Sequence, residues 1–182
     1  MIGIPLGLLY SNAGEWLIHK YVLHGQGKNR KNFWSFHWHE HHAAARKNRH
    51  HDPAYDRTEF RWDARSKEAV GLVGLAAVHA PLFPVAPFFV GTLWFSAINY
   101  YRVHKRAHVD PEWGIRKVPW HVDHHLGADQ NSNWCVTWPW FDWVMGTRQK
   151  YIGTEKWYAD EKRRAEMKAR AQSKVTATST AA

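Results

Sequence analysis

The stretch HKRAHVDPEWGIRKVPWHVDHH, residues 104–125, holds five histidines at helical spacing. His104 and His108 are four apart, His121 and His125 are four apart, and His124 stands three after His121. Side chains three or four apart share one face of a helix and lie about 5 to 6 Å from each other. The spacing therefore predicts two helices that each turn imidazoles to one side. Asp110-Pro111 ends the first, because proline cannot continue a helix past its first turn. An all-α fold follows, with the histidine faces turned together.

Two further clusters lie upstream, His19/His24 and His37/His41/His42, so ten of the fourteen histidines fall into four groups. Neutral imidazole is the commonest metal-binding side chain and suits zinc, copper, iron and nickel. One ion takes four to six ligands, so His19, His24, His37, His41, His42, His104, His108, His121, His124 and His125 point to two ions. In Phe36-His37-Trp38-His39-Glu40-His41-His42, His37 is four before His41 and His39 is three before His42, and geometry alone leaves both open. His37 is the choice adopted. His39, His50, His51 and His79 stand in looser context and read as ordinary polar residues, so His50→Ala is expected to leave activity intact. Glu15, Glu40, Asp110 and Asp123 lie near the clusters and are candidates to orient imidazoles through their second nitrogen.

Composition narrows the class. The length suits one domain with a sizeable core. Cys135 is the only cysteine, which excludes an internal disulfide and any CxxC zinc or redox motif and fits a reducing, cytosol-facing setting. The formal charge of +9 calls for an acidic neighbour, a nucleic acid or an anionic membrane surface. The basic residues flank apolar segments instead of forming a stripe, which argues against nucleic acid.

From Ala69 to Tyr101 there is no Asp, Glu, Lys or Arg. That run exceeds the roughly 20 residues of one spanning helix, and Pro81, Pro84 and Pro87 sit near its middle. It predicts a transmembrane hairpin of two short helices, about 69–79 and 88–101, with a third apolar segment at Met1–Ile18. Basic residues on both flanks place both ends in the cytosol by the positive-inside rule. The expected architecture is an integral membrane helical protein carrying a cytosolic, histidine-rich di-metal cap over residues 1–153. A charged helix and a Ser/Thr/Ala tail, disordered from Gln172, would fill 154–182.

The ordered series His19-Lys-Tyr-Val-Leu-His24, His37-x3-His41-His42, His104-x3-His108 and His121-x2-His124-His125 resembles the histidine boxes of the membrane-bound fatty acid hydroxylase and sterol desaturase superfamily. Asp129-Gln-Asn-Ser-Asn-Trp-Cys-Val-Thr and Phe141-Asp-Trp-Val-Met-Gly-Thr-Arg148 look like the segment after that family's last box. The likeness runs from about Glu15 to Gly153. It implies an enzyme with two non-haem irons on the ten clustered histidines, with zinc as a substitute. Such an enzyme would use O2 and electrons from a cytochrome b5 or ferredoxin type partner to hydroxylate a C–H bond of a fatty acyl, sphingolipid or sterol substrate. The first box and the small size also look like carotenoid ring hydroxylases, and lipid desaturation shares the early chemistry. A non-catalytic membrane metal-binding or transport protein is the reading of another class. Transport would put ionisable ligands inside spanning helices, whereas only His79 lies inside the apolar run.

Overall fold

The structure, a computed structural model, describes residues 2–180, with side chains placed as far as Ser173. The described residues contain helices and no strands. Helix α1 (Gly3–Leu17) runs directly into a π-helical segment (Ile18–Gln26), and a second π-helical segment (His37–His42) continues as α2 (Ala43–Lys47). There follow α3 (Ala64–His79), α4 (Pro87–Val109), α5 (Pro111–Lys117), α6 (Pro119–Leu126), α7 (Trp140–Val144) and α8 (Glu155–Thr180).

Local chemistry sets the boundaries. The Asp63 side chain accepts from the Ser66 N–H to start α3, and Asp110 does the same for Trp113 at the start of α5. Pro87, Pro111 and Pro119 each open a helix, where a missing N–H costs nothing. Helices α1 and α4 run parallel in close contact. A methyl group at Gly3 would meet the Phe89 backbone nitrogen at 2.8 Å, and one at Gly7 would meet the Thr92 Cβ at 2.7 Å. The contact advances along both helices, from Gly3 to Gly7 on one and from Phe89 to Thr92 on the other, which fixes the parallel direction. Helix α3 returns alongside them, joined by the Phe83–Trp94 ring stack and by the Trp94 indole N–H donating to the Ala76 carbonyl at 3.1 Å. The three helices thus bring residues 18–24, 64–68 and 104–108 to one end.

That end is closed by α5, α6 and the segment 127–152. Trp16, Trp134 and Cys135 pack with Phe141, and Val122, Leu126 and Tyr151 form a second cluster. The buried Asp142 carboxylate accepts from the Trp134 and Cys135 backbone N–H groups at 2.8 and 2.9 Å, and from the Thr147 hydroxyl at 2.7 Å. Asp123 accepts from the Tyr151 and Ile152 N–H groups and pairs with Arg148 at 2.7 Å. These two carboxylates hold the irregular chain against the histidine helices.

The expected transmembrane architecture needs correction. The apolar run does fold as two antiparallel helices broken at Ala80–Leu82, but among the described residues no helix is long and apolar enough to cross a membrane. Helix α3 opens with Arg65, Lys67 and Glu68. The charge-free part of α4, residues 87–101, extends only about 22 Å at 1.5 Å per residue, against a hydrocarbon core of about 30 Å. Helix α1 is as short and buries Asn12 inside the fold. Counting uncharged residues overestimated the span because the run includes the turn between the helices. With no span, the positive-inside argument loses its basis, and the integral-membrane localisation with a cytosol-facing site falls with it. Many apolar side chains of α1, α3 and α4 are nevertheless exposed, among them Leu6, Leu9, Val73, Val78, Phe88 and Phe95. Helical backbone continues from Gln172 to Thr180, where a disordered tail was expected, and Met1, Ala181 and Ala182 lie outside the described residues.

Candidate metal centre

Eleven buried histidines gather at the closed end in groups whose nitrogens lie within 4.8 Å of one another. His19, His24, His37, His42 and His124 form the first. His41, His104, His108 and His125 form the second, and His50 and His121 join it through His108. The two groups abut, with the His42 and His125 ring centroids 4.3 Å apart. Two of the four sequence clusters are divided between them, so that His41 faces away from His37 and His42, and His124 away from His121 and His125, while His19/His24 and His104/His108 each stay within one group.

The π-helical turns explain the grouping of the first two clusters, while on α6 the ordinary α-helical step of about 100° turns His124 away from His125. In an α-helix, residues five apart point about 140° from each other. The i→i+5 turn of a π-helix returns the chain to the same face after five residues. His19 and His24 therefore converge, as do His37 and His42, while His41 turns away to the second group. His39 donates to or accepts from no other imidazole and instead bonds the Lys28 carbonyl at 3.0 Å.

A ring of acceptors fixes the imidazoles from outside. The Nδ1–H of His19 donates to the Trp134 carbonyl, that of His124 to the Ser132 carbonyl and that of His108 to the His50 carbonyl, each at 2.6 Å. His41 donates to Asp52 and His42 to the Gln130 side-chain oxygen, each at 2.8 Å, and His104 donates to Glu68 at 2.6 Å. A carbonyl or carboxylate only accepts, so in each of these rings the hydrogen is on Nδ1 and Nε2 presents a bare lone pair.

The chemistry of this donor set tests the fit to metal. His42 Nε2 and His124 Nε2 lie 3.1 Å apart, two lone pairs aimed at one space with no proton between them. That arrangement is repulsive unless a cation lies between them. Two nitrogens bound at right angles about 2.1 Å from one ion sit about 3.0 Å apart, which matches the 2.9 to 3.1 Å contacts of His19–His37, His24–His42, His42–His124 and His108–His121. His41 Nε2, His104 Nε2 and both nitrogens of His50 and His125 are buried with no hydrogen-bond partner, and a buried unpaired polar atom is costly. Burial, and after it neighbouring imidazoles, hold ten of the eleven rings below the ordinary histidine value: His19, His24, His37, His41, His42, His50, His108, His121, His124 and His125. Neutral rings are what metal ligation needs. These groups can hold metal ions.

A cavity of about 520 Å³ opens between α1, α3 and α4 and ends on His19, His37 and His41. Its walls are largely apolar, with Leu72, Leu75 and Leu93 among them, and Tyr55, Glu68 and Tyr100 stand beside the histidines. Burial first, then Glu68, pushes the Tyr55 and Tyr100 phenols well above their ordinary range, so both stay protonated.

No family model, curated protein or solved structure matches the chain. The likeness of its histidine boxes to the hydroxylase superfamily rests on the sequence alone.

The ten histidines expected as ligands all lie in the buried groups. His50 was read as an ordinary polar residue, yet it is fully buried and its ring centroid is 4.2 Å from that of His108. It adopts φ 78°, after Arg49 at φ 57°, a left-handed pair no spacing rule signals. His51 pairs with Asp56, and His79 bonds Tyr10 and Leu75. The four carboxylates expected to orient imidazoles do other work. Glu15 accepts from Val136 and Thr137, Glu40 pairs with Lys67, Asp110 caps α5, and Asp123 anchors residues 148–152. Asp52 and Glu68 take the orienting role instead, brought in by the loop after α2 and the first turns of α3.

Proposed function

We propose that the protein is an O2-dependent, non-haem oxidoreductase that hydroxylates a C–H bond of an apolar lipid, with two iron ions held by the histidine groups and electrons supplied by a cytochrome b5 or ferredoxin type donor. The observation that carries the reading is that an apolar cavity of about 520 Å³ ends on His19, His37 and His41, which belong to both groups. Metal storage or transport does not call for an apolar cavity of this kind.

His19, His24, His37, His42 and His124 would hold one ion, and His41, His104, His108, His121 and His125, with His50 beside them, the other; zinc is a plausible substitute for iron at imidazole sites. When bound, iron supplies the redox chemistry that reduces O2. The balance is R–H + O2 + 2 electrons + 2 protons giving R–OH + H2O, and the electrons come from outside because the chain carries no flavin, haem or nicotinamide motif. The protein's own residues do the rest. Leu72, Leu75 and Leu93 keep the cavity dry, which protects a strong oxidant from side reactions. Tyr55 donates to the Glu68 carboxylate at 2.6 Å, and Glu68 in turn accepts from His104, so the carboxylate at the wall orients the His104 ring and holds the Tyr55 phenol beside the histidines.

The test is turnover of the iron-loaded chain with a ferredoxin, its reductase and a lipid extract under ¹⁸O2, read by mass spectrometry. The reading expects a lipid gaining one labelled oxygen. Label arriving only from H2¹⁸O would point to hydration or hydrolysis, an alkene without lipid hydroxyl would move the chain to desaturation, and two bound irons without turnover would favour a non-catalytic metal protein.

A further inference from the structure

In the lining of the same cavity, away from the histidines along α1 and α3, the exposed Tyr10 and half-buried His79 form a polar pair that the metal chemistry does not use. Tyr10 Oη lies 3.0 Å from His79 Nε2, and His79 Nδ1 lies 2.7 Å from the Leu75 carbonyl, a bond within its own helix. The carbonyl fixes the hydrogen on Nδ1, so Nε2 accepts from the Tyr10 hydroxyl, and the phenol oxygen keeps lone pairs free to accept from a ligand. Both residues line the cavity. Along α1, Tyr10 stands about 14 Å from His19, and along α3, His79 stands about 17 Å from Glu68, at 1.5 Å per residue.

We propose that Tyr10 and His79 bind the polar end of the substrate, and that this end is a neutral hydroxyl rather than a carboxylate. The proposal rests on the oxygenase reading only for what happens at the far end of the cavity. A hydroxyl fits the pair in either of two ways: it donates to the Tyr10 oxygen, or it inserts between the two, accepting from Tyr10 and donating to His79. A carboxylate accepts only. It would take the Tyr10 hydrogen, and His79 could meet the anion only by taking up a second proton on Nε2. The lining contains no Lys or Arg to neutralise such a charge, while Glu15 and Glu68 lie along it. Exposed Leu9 and Val78 flank the pair in sequence and give an apolar molecule a surface by which to reach the opening.

The spacing also sets the length of a straight-chain probe. An extended chain advances about 1.25 Å per carbon with 1.52 Å bonds, so about eleven carbons span Tyr10 to His19. Binding of 1-undecanol, its methyl ether and undecanoate to the metal-loaded chain, followed by tryptophan fluorescence, tests the pair, since Trp34 lines the cavity. The ether can accept but not donate. One net hydrogen bond corresponds to roughly a two- to tenfold change in affinity, so undecanol should bind about fivefold tighter than the ether and tighter than undecanoate. Tyr10→Phe/His79→Leu should bring undecanol and ether within twofold while leaving the ether's own affinity unchanged. Equal binding of alcohol and ether in the unsubstituted chain, tightest binding by undecanoate, or an alcohol preference that survives the double substitution overturns the proposal. Alcohol selectivity without oxidation of any lipid would keep this site and reject the oxygenase reading. Oxidation without alcohol selectivity would do the reverse.

Discussion

Acidification from pH 7.5 to 5.5 should disrupt this protein with unusual steepness. Ten imidazoles have folded-state pKa values held below the ordinary 6.5 by burial and by one another. As pH falls through 6.5, the unfolded chain takes up protons that the folded chain refuses, so stability present above 6.5 is lost below it. Over this interval each fully buried ring loses about 1.4 kcal/mol, and ten together lose about 14 kcal/mol. A typical domain has only about 5 to 15 kcal/mol in all. Glu15 acts in the opposite direction: burial raises its carboxyl to about 7, so the folded state gains a proton as pH falls. That gain is worth about 2 kcal/mol over the same interval, too little to compensate. The sign is the same with metal bound, because ligation also requires unprotonated rings. Circular dichroism melts and metal release measured in half-unit steps should show cooperative loss centred between pH 6.5 and 5.5, with several protons taken up per chain. A melting temperature that is level down to pH 5, or uptake of fewer than two protons, would refute the closed, neutral histidine cluster.

Other perturbations follow from single contacts. Elemental analysis of the iron-supplemented chain should give two metals, and His124→Ala or His108→Ala should abolish lipid oxidation; one ion or none in the unsubstituted protein would remove the dinuclear assignment. Contrary to its sequence context, His50→Ala should lower the metal content below two per chain, and an unchanged ratio would make His50 a packing residue. Asp52→Ala should weaken metal binding by about 10- to 100-fold through loss of the His41 orientation, measured by competition with a chelator, while Asp110→Ala should leave it unchanged. Gly7→Val should cost about 1 to 3 kcal/mol, because its Cβ would meet Thr92 at 2.7 Å; a denaturant midpoint unaffected by it would contradict the parallel packing of α1 on α4.

The histidine clusters were legible because imidazoles at i,i+4 on a helix have few other reasons to recur, and the division at Asp110-Pro111 follows from proline itself. The partition of the ligands was not legible. It depends on two π-helical segments, and nothing in Ile18–Gln26 or His37–His42 distinguishes an i→i+5 turn from an i→i+4 one before the chain is folded. The second layer was hidden for a different reason. Half of its acceptors are backbone carbonyls, at Trp134, Ser132 and His50, which have no side-chain signature. Its carboxylates are not the ones nearest the boxes in sequence: Asp52 and Glu68 come from a loop and a helix start that only the tertiary fold turns inward.

The apolar run misled through the same gap between composition and geometry. Residues 69–101 lack charge, but the turn at Ala80–Leu82 divides them between α3 and α4, so neither helix is long and apolar enough to cross a membrane, although both carry apolar side chains outward as well as toward a cavity. Leu72 and Leu93 line that cavity, Leu75 lines it while also reaching solvent, and Val73 and Phe95 face outward. A segment expected to anchor the protein is thus an apolar wall leading to the histidines. The oxidation of an unreactive C–H bond proposed above would require a dry approach on one side and unprotonated nitrogens on the other. The parallel run of α1 and α4 is built for both, since the wall leads to His19, just past the end of α1, and to His104 and His108 in the last turns of α4.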